Sequence, residues 1–395
     1  MLCAEFGDRH RTFSSKYFPV DISSGEFCPY KGGINIHCIT KKAKCQDDKS
    51  LTGELELKWQ PKKEYSAWLA QSYKRLGMRS KFLAVSDCAS LLEFRKPVPM
   101  VDAPIAPREQ RGATSDGWKL QYANFCRDRL CPMCQWRKSL KVFSQVSRVM
   151  DAIENDFAFL FLTLTVPNCD GKELSKTIDK MQKAFGKLRH YKKFQVAVCG
   201  YFKALEVTRN KITGLYHPHF HVILAVDLDY FTSDKYIDQS APYFEWTKLW
   251  EKALKNLVEM RIPPIVHVKR VMPKEHKDGE TAVKSIKSAV AEVSKYSVKS
   301  SEYINSEDEK TRDEIIYTLS SSLAGRRLCS FGGVFEDVRK ALDLDDFEEG
   351  DLIHIDGTEM RSDVAYMIRR YNWSCGAFKL LDECIERNND VYEVM

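Results

Sequence analysis

The run His217-Pro-His-Phe-His221 sets three imidazoles at two-residue spacing. In an extended strand, residues two apart project from the same face. His219 and His221 therefore stand side by side, and Phe220 turns the other way, into a core. The segment Val196–Arg209 reads as a partner strand, joined by a turn over Asn210–Leu215. If that turn centres between Ile212 and Thr213, Glu206 falls opposite His219 on the same face. Two imidazoles and a carboxylate make a three-ligand site with open positions, as a catalytic divalent cation requires. Two imidazoles suit Mn²⁺ better than Mg²⁺ on ligand softness. His217 has the same parity but sits at the turn and reads as a neighbour. Pro218, which has no N–H, suits the start of a strand. Neither spacing nor secondary structure fits a helical His-Glu-x-x-His protease. The plainer alternative is a pair of hydrogen-bonded histidines with no metal.

Two more groups of residues carry chemistry. Cys126-x4-Cys131-Pro-Met-Cys134 offers three thiolates, two at tight metal-ligand spacing, and a structural zinc ion would take a fourth. Arg127, Arg129, Arg137, Lys138 and Lys141 surround them and read as a phosphate-contacting patch. Trp136 reads as core. Three ordinary reduced thiols are the plain alternative, and the thioredoxin-type context for redox catalysis is missing. Further on, Glu292, Tyr296 and Lys299 lie at i, i+4 and i+7 of a helical stretch, close together at about 100° per residue. They border the apolar stripe Val283, Ile286, Val290 and Val293. A phenol with pKa of about 10 is a poor nucleophile unless its developing charge is stabilised. A metal-polarised phosphate and the Lys299 ammonium would do so. Without them, the triad is a solvated Glu–Lys face.

The elements that must position these groups follow from periodicity. Gln135–Ile153 is helical, with Leu140, Phe143, Val146 and Met150 in register. Phe157–Val166 (FAFLFLTLTV) is a buried-type strand. Gly171–Lys193 is an amphipathic helix with Leu174, Ile178, Met181, Phe185 and Leu188 on one stripe. The strands at 196–209 and 219–226 follow. Phe244–Met260 is a helix carrying Leu249, Trp250, Leu254 and Leu257, Pro264–Met272 is a strand, and Thr281–Ser300 is a helix. The order is βαββαβ plus a helix, an α+β ferredoxin-like antiparallel sheet. A fold of this kind does not itself specify function.

Length and charge frame the rest. The chain has 395 residues, 44% of them hydrophobic, enough for two or three folded domains. A proline- and glycine-rich linker runs from Lys96 to Gly117. The expected domains are residues 1–84, of unassigned role; 85–153, cysteine-rich and basic, a candidate zinc- and polyanion-binding segment; 154–300, the α+β fold that carries the histidine strand; and 301–395, mostly helical, with a Gly-Gly turn at 332–333 and an acidic tail. Residues 341–395 hold 5 Lys and Arg against 14 Asp and Glu, net −9, and residues 1–340 hold 56 against 41, net +15. A basic body implies a polyanionic partner such as nucleic acid, or else merely a solvated surface. No long apolar run offers a membrane span, and the N-terminus does not read as a secretory signal. Thirteen cysteines without such a signal point to a reducing cytoplasm, with free thiols or metal ligands.

Together these motifs resemble the HUH endonucleases, and within them the rolling-circle replication initiators of small bacterial plasmids. FLTLTVPN (161–168) is similar to that family's first motif, GLYHPHFHVIL (214–224) to its metal-binding second and AEVSKYSVK (291–299) to its third. FCRDRLCPMCQWRKSLK (125–141) and GRRLCSFGG (325–333) resemble further shared stretches. The resemblance spans about residues 85–335. It implies that His219 and His221 bind Mg²⁺ or Mn²⁺, and that Tyr296 attacks the scissile phosphate and links to the 5′ end. It also implies that Lys299 assists and that Glu292 activates water at termination. Cys88 resembles an upstream family cysteine and is the expected fourth zinc ligand, with Cys45 and Cys329 in reserve. The implied partners are double- and single-stranded origin DNA and a host helicase with its replication machinery, in the bacterial cytoplasm, with an oligomer allowed. A transposase or relaxase on the same site, a metal hydrolase, and a non-catalytic zinc-containing nucleic-acid-binding regulator are the alternatives. Relaxases usually carry their tyrosine ahead of the histidines, unlike this chain.

Overall fold

A computed structural model describes residues 49–98, 117–259, 262–272, 283–295, 298, 303, 308–355 and 365–386. The apolar run at 157 forms β3 (Phe157–Thr165), buried along most of its length and flanked on both sides. It pairs antiparallel with β5 (Tyr216–Asp227) and with β6 (Val266–Met272). Strand β5 pairs with β4 (Gly200–Arg209), and β4 with β8 (Cys329–Gly333). The short β7 (Val283–Ser285) adds in parallel to β6, giving the order β7-β6-β3-β5-β4-β8. Central strands have both faces covered, so they read as continuous apolar runs without a polar alternation.

Helix α5 (Gly171–Arg189) buries the expected stripe of Leu174, Ile178, Met181, Phe185 and Leu188. It packs on the sheet beside α7 (Glu245–Leu254), whose Trp250 Nε1 donates to the Thr165 carbonyl at 2.7 Å and pins the end of β3. The short helix α6 (Lys192–Ala197) takes up residues expected as the end of α5 and the start of β4. The opposite face carries α4 (Pro132–Ile153), α8 (Ile286–Val293) and α10 (Val334–Ala341), around Phe159, Phe161, Phe202, Ile223 and Phe335. In α4, Val146 and Met150 are buried, but Leu140 faces outward. Helix α8 begins later than its periodicity suggests, because the Ser285 hydroxyl caps it by accepting from the Ser288 N–H.

A second sheet joins distant parts of the chain. Strand β1 (Leu91–Pro97) pairs with β2 (Lys119–Ala123) and with β9 (Tyr366–Ser374), and β9 with β10 (Ala377–Glu386), in the order β10-β9-β1-β2. The helices α1 (Lys49–Glu54), α2 (Gln60–Arg75) and α3 (Arg79–Asp87) share the larger hydrophobic core with β1 and the cysteine segment. Of the linker, Lys96 and Pro97 end β1 and Gly117 opens the next described segment; Pro99, Pro104, Pro107 and Gly112 lie outside the described residues.

The C-terminal expectation needs correction. The described residues of 301–395 are not mostly helical: α9 (Glu309–Leu323) and α10 are helices, but β8, β9 and β10 are strands. The hairpin β9–β10 turns on Cys375 (φ 52) and Gly376 (φ 77), and paired Arg369 and Arg370 mask its alternation. Arg369 is buried against Glu383, and Arg370 bonds Glu93 and Asp382. Gly332 and Gly333 make no turn between helices. They end β8 against β4, where a Cβ on Gly332 would fall 2.3 Å from the Tyr201 ring and one on Gly333 2.2 Å from the Cys199 carbonyl.

Among the described residues no helix is long and apolar enough to cross a membrane. Gly333 also has φ +59, so Gly333→Ala combines a backbone clash with strain and is expected to cost about 2–3 kcal/mol. Urea unfolding checks this, and a variant as stable as the parent would remove the constraint.

Candidate functional site

The β4–β5 hairpin sets the site. Asn210 Oδ1 accepts the backbone N–H groups of Ile212 at 2.9 Å and Thr213 at 3.0 Å, and Gly214 takes φ +72. This turn aligns Glu206 with His219 and Ala204 with His221. Glu206, His219 and His221 are buried, and their donor atoms all lie within 4.8 Å of one another. Glu206 Oε2 is 3.0 Å from His221 Nε2 and 3.4 Å from His219 Nε2. The far nitrogens are occupied as well. His219 Nδ1 lies 3.1 Å from the His217 carbonyl, to which it must donate, and His221 Nδ1 lies 3.2 Å from the Thr163 hydroxyl. Each Nδ1 that donates leaves its Nε2 as a lone pair facing the carboxylate. In that tautomer the three side chains offer acceptor atoms to one point, an arrangement able to hold a divalent cation; with the imidazoles protonated, the same atoms donate to the Glu206 carboxylate. Burial works against the Glu206 carboxylate, but hydrogen bonds and charge from the two histidines outweigh it and hold its pKa well below the ordinary value.

Other expected residues fall around this centre. His217 is half-buried, stacked on His219 with ring centroids 5.2 Å apart and 2.7 Å from Asn168 Oδ1. Burial and the neighbouring His219 push its pKa down. Glu292, near the end of α8, has Oε1 3.9 Å from His221 Nε2 and Oε2 2.6 Å from Lys295 Nζ. Tyr296 and Lys299 lie outside the described residues. Tyr303 is fully buried and donates to the Leu130 carbonyl. Thr163 escaped the sequence reading, because its place opposite His221 depends on the β3–β5 register between strands far apart in the chain.

The cysteine cluster is assembled from two separated segments. Cys88 caps α3, Cys126 follows β2, Cys131 caps α4 and Cys134 lies in its first turn. Sγ separations are 3.5 Å for Cys88–Cys134, 3.6 Å for Cys126–Cys134 and 3.6 Å for Cys88–Cys131. These are far above an S–S bond. A tetrahedron with Zn–S bonds of ~2.3 Å has edges of about 3.8 Å, close to these spacings. Arg127 takes φ 58, and the N–H groups of Arg127 and Asp128 point at Cys134 and Cys126 Sγ at 3.2 and 3.5 Å, as in a metal-binding knuckle. Burial opposes ionisation of Cys131, but hydrogen bonds from Cys126, Cys134 and Cys88 hold its thiol well below the usual value. Those same bonds push Cys126 and Cys134 up. Such a cluster can ionise throughout only with a bound cation. Cys329 stands apart on β8, its thiol pushed up to about 12 by burial; Cys45 lies outside the described residues.

The basic patch differs most from expectation. The acidic segment at 345–353 engages all five cations; Arg137 and Lys141 are buried beneath it, Arg129 and Lys138 are half-buried, and Arg127 stays exposed. Glu348 binds Arg129 at 3.3 Å and also Lys138, and Asp345 binds Lys141 at 2.5 Å. Arg137 donates to the Leu352 and Ile353 carbonyls at 2.9 and 2.7 Å, and Arg127 to the Glu349 carbonyl at 2.7 Å. Leu344, Phe347 and Leu352 bury their side chains and anchor the segment. The reason is electrostatic: the chain's own carboxylates reach the cations at no cost in association entropy. The run DLDDFEEGD (343–351) was the signal for this. Trp136 packs edge-on to Trp59 at 4.9 Å, as core.

Freshly purified protein is expected to carry about one zinc per chain, and Cys131→Ser/Cys134→Ser to lose it together with much of the stability. Metal analysis and thermal melts read this out; zinc-free protein would refute the assignment.

Comparison with known proteins gives a consistent family. The family described as replication protein matches residues 117–378. A "Protein rep" from Bacillus amyloliquefaciens is 35% identical over 327 residues, covering 78% of this chain and 89% of the relative. One from a Bacillus species is 39% identical over 247 residues, covering 60% and 77%. One from Streptococcus pneumoniae is 33% identical over 313 residues, covering 78% and 86%. No solved structure matches the chain.

Proposed function

From the premise that this chain belongs to the replication protein family, the rolling-circle plasmid replication initiators, we propose that it nicks one strand of its plasmid origin and rejoins it through a covalent tyrosine intermediate. Family membership carries initiation of plasmid replication and binding of origin DNA. The observation that carries the chemistry is the convergence of Glu206, His219 and His221 as three acceptors on one point. The strand order β6-β3-β5-β4, with α5 and α7 on one face, supports the ferredoxin-like HUH reading.

Glu206, His219 and His221 would hold Mg²⁺ or Mn²⁺, which when bound polarises the scissile phosphate. The Thr163 hydroxyl and the His217 carbonyl fix the imidazole orientations. The Tyr296 phenol oxygen forms the bond to phosphorus as the P–O3′ bond breaks. The phenol proton passes to solvent, and the 3′ oxygen takes up a proton from solvent as it leaves, giving the hydroxyl that primes synthesis. The Lys299 ammonium offsets the developing charge. The phosphotyrosine ester at the 5′ end conserves the energy for rejoining. Glu292, beside His221, takes a proton from water for the hydrolytic second cleavage. Cys88, Cys126, Cys131 and Cys134 would hold a structural zinc ion that joins α3 to the start of α4.

Supercoiled plasmid carrying its own origin, incubated with the protein and Mn²⁺ or Mg²⁺, tests this. Wild type is expected to give nicked circles and a covalent protein–DNA adduct. His219→Ala/His221→Ala abolishes both and keeps duplex binding, since phosphate contacts elsewhere supply most affinity. Tyr296→Phe binds DNA normally and forms no adduct. Unchanged nicking in the histidine variant, or a surviving adduct in Tyr296→Phe, would sink the mechanism.

Glu292→Ala is expected to nick nearly normally and fail to terminate, giving single strands longer than one plasmid unit. Monomer circles at wild-type yield would reduce Glu292 to an ion-pair partner of Lys295, worth a few tenths of a kcal/mol (~0.3).

A further inference from the structure

On the sheet face opposite the histidines, a lysine lies buried without a counter-charge. Side chains alternate along β4, so Lys203 points away from Glu206. Lys203 is only 6% exposed, and its ammonium sits 4.6 Å from the Phe185 ring centroid and 4.3 Å from that of Phe220. Its hydrogen-bond acceptor is Gln182 Oε1 at 2.5 Å, although an ammonium has three donors. Burial, with the nearby Arg189 charge adding, pushes its pKa down to about 7.

Arg189 ends α5 on the same rings, 6.0 Å from the Phe185 centroid and 5.6 Å from that of Tyr201. Among the described residues it has no hydrogen bond or ion pair. The two arginines of the β8 side are each paired, Arg326 with Asp179 and Arg327 with Asp346. Lys203, Arg189, Tyr201, Arg327 and Ser330 line an open surface pocket of about 430 Å³. Two like charges beside one pocket, one of them desolvated, repel each other and lack an acid between them. Among the residues that line the pocket there is no carboxylate.

We propose that this pocket is an anion site for a phosphate group, bound by Lys203 and Arg189. A phosphate bears several acceptor oxygens and enough charge to satisfy both cations at once. The β8 strand and the Arg326–Arg327 pair form one wall of the site, which gives the GRRLCSFGG stretch a role that the metal centre does not use. The proposal stands independently of the nicking mechanism, because no residue of the metal centre takes part.

The test uses the full chain. Inorganic phosphate and sulfate are titrated calorimetrically and by thermal melt at constant ionic strength, with chloride as control. Nonspecific duplex and single-stranded DNA are titrated by anisotropy across a salt series. The variants are wild type, Arg189→Gln, Lys203→Met and His219→Ala/His221→Ala. Arg189 is exposed, so its variant should fold even if Lys203→Met does not. Wild type and the histidine variant are expected to be stabilised by phosphate and sulfate beyond chloride, and Arg189→Gln to lose that response. If the phosphate belongs to DNA, Arg189→Gln also weakens DNA binding about 3- to 10-fold and lowers the salt slope by about 1. If the ligand is free phosphate, DNA binding is unchanged and only the phosphate response disappears. Equal responses to phosphate and chloride in wild type, with DNA affinity unchanged in Arg189→Gln, would overturn the proposal. Lys203 would then be a lysine held only by its two aromatic rings.

Discussion

The pairing register of β4 with β5 is the constraint on which the site depends. A shift of one residue would send His219 and His221 through the sheet and bring Phe220 to the face that carries Glu206. Both errors are costly. Phe220 is fully buried, edge-on to Phe185 and beneath the Lys203 ammonium, whereas a displaced carboxylate and two imidazoles would have to enter an apolar layer. The Asn210 side chain and the left-handed Gly214 hold the turn at one length, so packing on one face and the Glu206–histidine contacts on the other select the same register.

Charge is organised in the same economical way. A basic body and an acidic C-terminal region suggest an electrostatic surface waiting for a polyanion. Part of that asymmetry is neutralised internally. Residues 345–353 lie along α4, and Lys141 and Arg137 are buried beneath them, 2% and 7% exposed. Buried cations of this kind are structural, because exposing them to bind DNA would mean lifting Phe347 out of a core it shares with Phe202 and Phe331. Of the cysteine-flanking cations, Arg137 and Lys141 are thus committed to the fold, while Arg127 keeps an exposed side chain.

The cysteine centre has a comparable connecting role. Cys88 follows α3, and the other three thiols straddle the start of α4. Lys63, only 1% exposed, donates to the Ser86 and Cys88 carbonyls at 2.9 and 2.6 Å and holds the incoming chain in place. The first helices are thereby tied to the helix that covers the histidine-bearing face of the sheet.

Local pattern alone determined much of this. The βαββαβ order, the α5 stripe, the hairpin turn and the pairing of Glu206 with His219 all rest on residues close in sequence, where a period of 2 or 3.6 leaves little freedom. The three-cysteine motif was legible for the same reason. Only the tertiary structure decided the rest: Thr163 behind His221, Cys88 beside Cys134, β9 against β1, β8 against Tyr201, and acidic residues on the supposed DNA patch. Each of these joins segments far apart in the chain. Composition shows that such partners exist, but the choice among them comes from how two packed layers fill space, and no local period carries that information.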